Sequence, residues 1–227
     1  MRSIGKKTTV AVASTLALLS TAACGSDKGP AEGEREPLGK AELSSAVLAQ
    51  GDVPGYTISD ESDRNSDRSS RAANKSCQPI VAAMIPATAA FKGRVVLRSI
   101  VQTPKASERP DASYQLVLSS AESESAARQA VQDLRSAISA CGSGFNATLS
   151  GEEYKIRRAV ANKSDAGDNR VDFSVEYQMG AKIRYVLVQN GASLTRLSAS
   201  NQFANKFVAV PSKIVEAQQQ KLDEVNT

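Results

Sequence analysis

The sequence predicts an α+β domain: one antiparallel β-sheet of about six or seven strands, with helices packed on one face and one disulfide as a staple. Three observations carry this. Segments of alternating apolar and polar residues follow one another at hairpin spacing, joined by tight turns such as Asn190-Gly191. Segments with helical apolar spacing stand apart from them rather than alternating with every strand, the pattern of segregated helices on an antiparallel sheet. Two cysteines, Cys77 and Cys141, lie within the same stretch.

In chain order, "PLGKAELSSAVLAQGDVPGYTIS" opens with a short amphipathic helix. Leu43 and Val47 are one turn apart, the helix stops near Gly51, and Pro54-Gly55 turns the chain into a strand. "ESDRNSDRSSRAANK" is polar and aperiodic, a loop. "CQPIVAAMI" is a short helix with Cys77 in its first turn and Pro86 at its end. "RVVLRSIVQT" and "SYQLVLSS" form a hairpin across the turn-rich "PKASERPDA". The clearest helix is "AESESAARQAVQDLRSAISAC", where Ala127, Val131, Leu134 and Ile138 recur at helical spacing, acids crowd the start and Gly142 ends it. Four strands follow in "EEYKIRRAVA", "RVDFSVEYQM", "AKIRYVLVQN" and "ASLTRLSAS". "VPSKIVEAQQQKLDEV" is a last helix from Pro211 with Ile214, Val215 and Leu222 inward. Because the strands alternate, the sheet's uncovered face is expected to be wet.

The amino-terminal region is organised differently. Arg2, Lys6 and Lys7 precede an apolar run, Val10 to Leu19, too short for the roughly 20 residues of a spanning helix. The run ends in Thr21-Ala22-Ala23-Cys24, which resembles the lipobox of bacterial lipoprotein signals, with Thr21 where that family most often has Leu. The resemblance implies that residues 1–23 are a signal peptide cut before Cys24, that Cys24 becomes a diacylated amino terminus, and that two acyl chains hold the protein stably at a membrane. The competing reading is an ordinary secretory signal with an incidental cysteine. Residues 24–37 are the lipidated cysteine and a polar, Gly- and Pro-rich tether reaching at most ~45 Å, and residues 38–227 form a single extracytoplasmic domain. With Cys24 acylated, an oxidising compartment leaves Cys77 and Cys141 to pair, closing a long loop worth ~4 kcal/mol in the chain-entropy account. Two buried thiols or a redox pair are the alternatives, and no Cys-x-x-Cys spacing favours the latter.

Charge and residue usage narrow the function. Against 24 acids the chain has 28 Lys and Arg, of which the signal takes three, so the mature domain is nearly neutral. Arg157-Arg158 is an isolated basic pair on a solvated strand end, and no concentrated basic face is present for nucleic acid. The chain has no histidine, which removes the usual general base and the commonest zinc ligand. Glu152 and Glu153 are adjacent and face opposite sides of a strand. Asp165, Asp168 and Asn169 offer oxygen ligands without a calcium-loop pattern, so a turn is expected there. Gly142-Ser143-Gly144 follows a helix and not a strand, so it is a helix stop and not a dinucleotide loop. The sequons at Asn74, Asn146 and Asn162 are chance matches in a Ser-rich chain. No catalytic residue, metal site or cofactor is expected.

Beyond the signal, "DVPGYTIS", "CQPI", a helix ending "SACGSGF" and a hairpin-rich second half resemble a group of actinobacterial lipoproteins of unassigned activity. They are more distantly similar to the extracytoplasmic sensor domain of actinobacterial receptor Ser/Thr kinases. That resemblance implies a noncatalytic, ligand-binding or sensor-like domain, monomeric, at the outer face of the cell membrane, whose ligand residues the sequence does not reveal. The alternatives are a lipid or glycolipid carrier, which needs a cavity for acyl chains, and a cell-envelope hydrolase, which needs an acid–base pair.

Overall fold

A computed structural model describes residues 36–62, 69–85, 94–104, 112–163, 167–201 and 205–225. The signal, Cys24, the tether up to residue 35, Pro86 and Asp165 lie outside the described residues. Within them the chain forms α1 (Lys40–Ala46), β1 (Tyr56–Asp60), β2 (Arg71–Ala72), α2 (Gln78–Met84), β3 (Val95–Gln102), β4 (Ala112–Ser120) and α3 (Glu124–Cys141). It continues through β5 (Phe145–Leu149), β6 (Glu152–Ala161), β7 (Arg170–Tyr177), β8 (Lys182–Asn190), β9 (Ser193–Asn201) and α4 (Ser212–Val225).

The α+β class and the single antiparallel sheet are as predicted, but the sheet has nine strands, in the order β1-β3-β4-β9-β8-β7-β6-β5-β2. The two extra strands are β2, inside the segment expected to be loop, and β5, directly after α3; they pair with each other at one end of the sheet. Two meanders are thus joined along one seam, where β4 and β9 pair from Ala112↔Asn201 to Ser120↔Ser193.

A second expectation is corrected: helices cover both faces. Successive residues of β8 divide between two cores, as the strand pleat requires. Tyr185 and Leu187 join Phe173, Leu134, Ile138, Ile80 and Val81 beneath α2 and α3. Val186 and Val188 join Leu116, Leu197, Leu43, Ile214 and Leu222 beneath α1 and α4. Each Leu or Ile taken fully out of water contributes ~1.5–3 kcal/mol, and this fold does so on two faces.

Local chemistry fixes the helices. Ser123 caps α3, its hydroxyl accepting from the Ala126 amide at 3.1 Å. The turn out of α3 needs Gly144: its φ is +105°, and a Cβ there would sit 2.5 Å from the Ile156 carbonyl oxygen. α4 buries Ile214, Val215 and Leu222 as expected, together with Gln218. Gln218 Oε1 accepts from Leu48 N at 3.0 Å and its Nε2 donates to Ala46 O at 2.8 Å, satisfying the end of α1. The Cys77–Cys141 disulfide is present, with Cα atoms 5.9 Å apart, and ties the start of α2 to the end of α3.

Candidate functional site

The stapled pair of helices makes two walls of a cleft. α2 and the turn before it supply Lys75, Gln78, Pro79, Ala82 and Ala83, and α3 supplies Ala130, Asp133 and Leu134. The floor is the centre of the sheet: Val117 and Ser119 of β4, Leu187 of β8, and Leu194 and Arg196 of β9. The space measures about 400 Å³, within the range of small-molecule sites. It exists because Ala82, Ala83 and Ala130 are too short to fill the gap between the helices and the sheet. Most of its surface is apolar carbon.

Arg196 is the exception. It is 5% exposed, because β9 lies between β4 and β8 and its register sets Arg196 opposite Val117 on one side and Leu187 on the other. Its guanidinium donates to the Met84 carbonyl, the last of α2, at 3.0 Å, and to Gln115 Oε1. The side chain lies over the Tyr185 ring at 5.9 Å. Its Nε has no partner, and among the described residues Arg196 forms no ion pair.

The charge is therefore only remotely balanced. Gln115 Nε2 donates to Glu61 Oε1 at 2.9 Å, so Glu61, whose charge favours the charged guanidinium, is linked to it through an intervening amide. Tyr185 and Tyr177 are held neutral, since burial pushes both phenols above their ordinary range. Burial pulls the Arg196 guanidinium down to about 10, which still leaves it charged at neutral pH.

Of the other polar groups in the cleft, Gln78, Ser119 and Asp133 are hydrogen-bonded, and Lys75 adds an exposed cation. Ser119 Oγ donates to Leu194 O at 3.3 Å, and Asp133 accepts from Gln129 Nε2 at 2.7 Å. Neither is paired in a nucleophile–base arrangement of the kind acyl or glycosyl transfer uses. What the cleft can do chemically is desolvate an apolar body and present a cation to it.

The residues singled out from the sequence fall elsewhere. Arg157 and Arg158 share Glu176 across the β6–β7 pair, at 3.6 and 3.4 Å, on the solvated surface. Glu152 accepts from the Tyr154 hydroxyl at 2.9 Å. Asp168 meets Arg135 of α3 at 3.3 Å, and Arg135 also donates to the carbonyls of Gly167 and Arg170, so a cation from the protein clasps that turn. Asn169 donates to the Gln189 carbonyl at 3.1 Å. Of the sequon residues, Asn74 accepts from Ser76 N and Asn162 donates to Asp172, both in structural bonds. Arg196 was missed: within "SLTRLSAS" a single Arg reads as a solvent-facing strand position.

No protein-family profile and no curated protein sequence matches the chain. Solved structures do. The extracellular domain of PknH from Mycobacterium tuberculosis superposes with a TM-score of 0.52 at 10% sequence identity, covering 84% of this chain and 98% of that one. The fold is thus shared with that extracellular domain. A putative uncharacterized protein from Mycobacterium smegmatis, an Rv0999 ortholog, aligns over 82% of this chain and 95% of its own at 8% identity, with a TM-score of 0.36.

Proposed function

We propose that the chain is a membrane-anchored lipoprotein, held through acylated Cys24, whose noncatalytic extracytoplasmic domain binds a small ligand in the cleft between α2, α3 and the sheet. The observation that carries this is the cleft itself: about 400 Å³, mostly apolar, with a buried cation in its floor. The fold shared with the PknH extracellular domain supports the extracytoplasmic, sensor-like part of the reading. No described helix is long and apolar enough to cross a membrane; the acyl anchor is proposed from the lipobox-like Thr21-Ala22-Ala23-Cys24. A cleft of about 400 Å³ lies towards the lower end of small-molecule sites, which favours a small ligand over the cargo of a glycolipid carrier.

Two measurements on the full-length protein test the two halves. Membrane fractionation with intact-mass analysis should show that Cys24→Ala abolishes the acyl mass and the membrane association; an unchanged mass would remove the anchor. Native mass spectrometry of protein recovered from its host envelope should show a reproducible added mass beyond the acyl groups. That mass should disappear in Ala83→Phe, which fills the cleft from a half-buried helix position. An added mass that survives Ala83→Phe places the ligand elsewhere.

A further inference from the structure

The chemistry of Arg196 specifies what the cleft receives. A guanidinium taken out of water loses its hydration, and buried charges in folded proteins are ordinarily paired with an opposite charge. Here the protein supplies one carbonyl, one amide oxygen and a ring face, leaves Nε without a partner, and links Glu61 to the guanidinium only through Gln115. Arginine is also the side chain whose planar fork best matches a carboxylate. Around it most of the lining is apolar, from Ala82, Ala83, Leu134 and Leu187, which rewards burial of a hydrocarbon body, while Lys75 and Asp133 place one exposed charge of each sign on the helix side.

We propose that the cleft binds a single-chain carboxylate amphiphile head-inward, with the carboxylate paired to Arg196 and the chain lying between α2, α3 and the sheet. This rests on the reading of the cleft as the ligand site and adds the class of ligand. Two other ligand types are disfavoured by the same residues. A sugar would leave most of its hydroxyls facing alanine and leucine, since Ser119 is already bonded to the Leu194 carbonyl, and a cationic amphiphile entering head-inward would meet the Arg196 charge, the Asp133 carboxylate being exposed on α3. The available space, about 400 Å³, suits a medium-length chain such as decanoate.

The test is photoaffinity labelling of the full-length protein in phospholipid nanodiscs. A diazirine-bearing decanoate is the probe, with decanoate, decanol and decyltrimethylammonium as competitors and the labelled residues mapped by peptide mass spectrometry. Label is expected on the α2 and β8 residues of the cleft. Decanoate should compete about 10- to 100-fold better than decanol, the discrimination a charged hydrogen-bonded pair provides, and decyltrimethylammonium should compete worst. Arg196→Met should bring decanoate and decanol together, while Arg196→Lys keeps part of the difference. Label in the cleft with decanoate and decanol competing equally in the wild-type protein overturns the carboxylate assignment and leaves the cleft as the ligand site. No label in the cleft overturns both. The wild-type comparison decides the question even if an Arg196 variant fails to fold.

Discussion

Removing the staple should cost a specific amount in a specific place. Cys77 and Cys141 are 64 positions apart in sequence, and restoring that loop's freedom to the unfolded chain costs the folded state about 4 kcal/mol. That is a large share of the 5–15 kcal/mol by which domains are ordinarily stable. For a domain of this size it corresponds to a melting temperature lower by roughly 8–16 °C. Cys77→Ala/Cys141→Ala is the perturbation, with guanidinium unfolding and hydrogen exchange as the assays. Exchange should reveal where the loss is felt. α2 has seven residues, too short to persist without tertiary support, and the disulfide joins its entry to α3. Its amides should lose protection, and the cleft should lose a wall. α4 belongs to the core on the opposite face and should keep its protection relative to global unfolding. A loss under about 1 kcal/mol, or equal loosening of α2 and α4, would refute the assignment of the staple to this wall.

Two further outcomes follow from the ion pairs. Asp172 is buried and accepts from Arg184 Nε at 2.8 Å, Arg184 Nη2 at 2.7 Å and Asn162 Nδ2 at 2.6 Å. Asp172→Asn leaves those donors facing an amide and should destabilise by about 3 kcal/mol in urea unfolding, whereas replacing Asp172 and Arg184 together by leucine should cost much less. At Asp52, burial alone would raise the carboxyl, but the Lys221 ammonium of α4 and the Ala49 amide outweigh it and hold its pKa below the ordinary 3.8. The pair therefore contributes its stability above about pH 4 and loses it as pH falls through the lowered value. Both side chains are partly exposed, so the effect is under about 1 kcal/mol. Asp52→Asn should flatten that part of the acid unfolding curve and leave stability below pH 2 unchanged.

Local pattern made most elements legible. The helical spacing of Ala127, Val131, Leu134 and Ile138 and the alternation of Val171, Phe173, Val175 and Tyr177 each describe one buried face, and all eight are buried. β5 escaped because "FNATL" is short and broken by Asn and Thr, and β2 because its two residues pair only with β5. The covered second face was nonetheless written in the sequence. Leu116-Val117-Leu118 and Tyr185-Val186-Leu187-Val188 are uninterrupted apolar runs, which a strand with one wet face does not need. The hairpin pattern of the neighbouring segments obscured them.

Arg196 is a different case, because no local pattern contains it. β9 follows β8 in a hairpin that the Asn190-Gly191 turn announces, yet its other edge is taken by β4, some eighty residues earlier in the chain. Only that nonlocal pairing turns the last strand of a meander into an interior strand of a nine-stranded sheet, and so moves an arginine from an expected surface into the floor beneath α2 and α3. Had β9 been an edge, Arg196 would be an ordinary solvated side chain and the cleft would open onto plain apolar surface. The position proposed to meet the ligand is thus a product of topology, set by the β4–β9 register. That register places Arg196 opposite Val117 and within reach of Gln115.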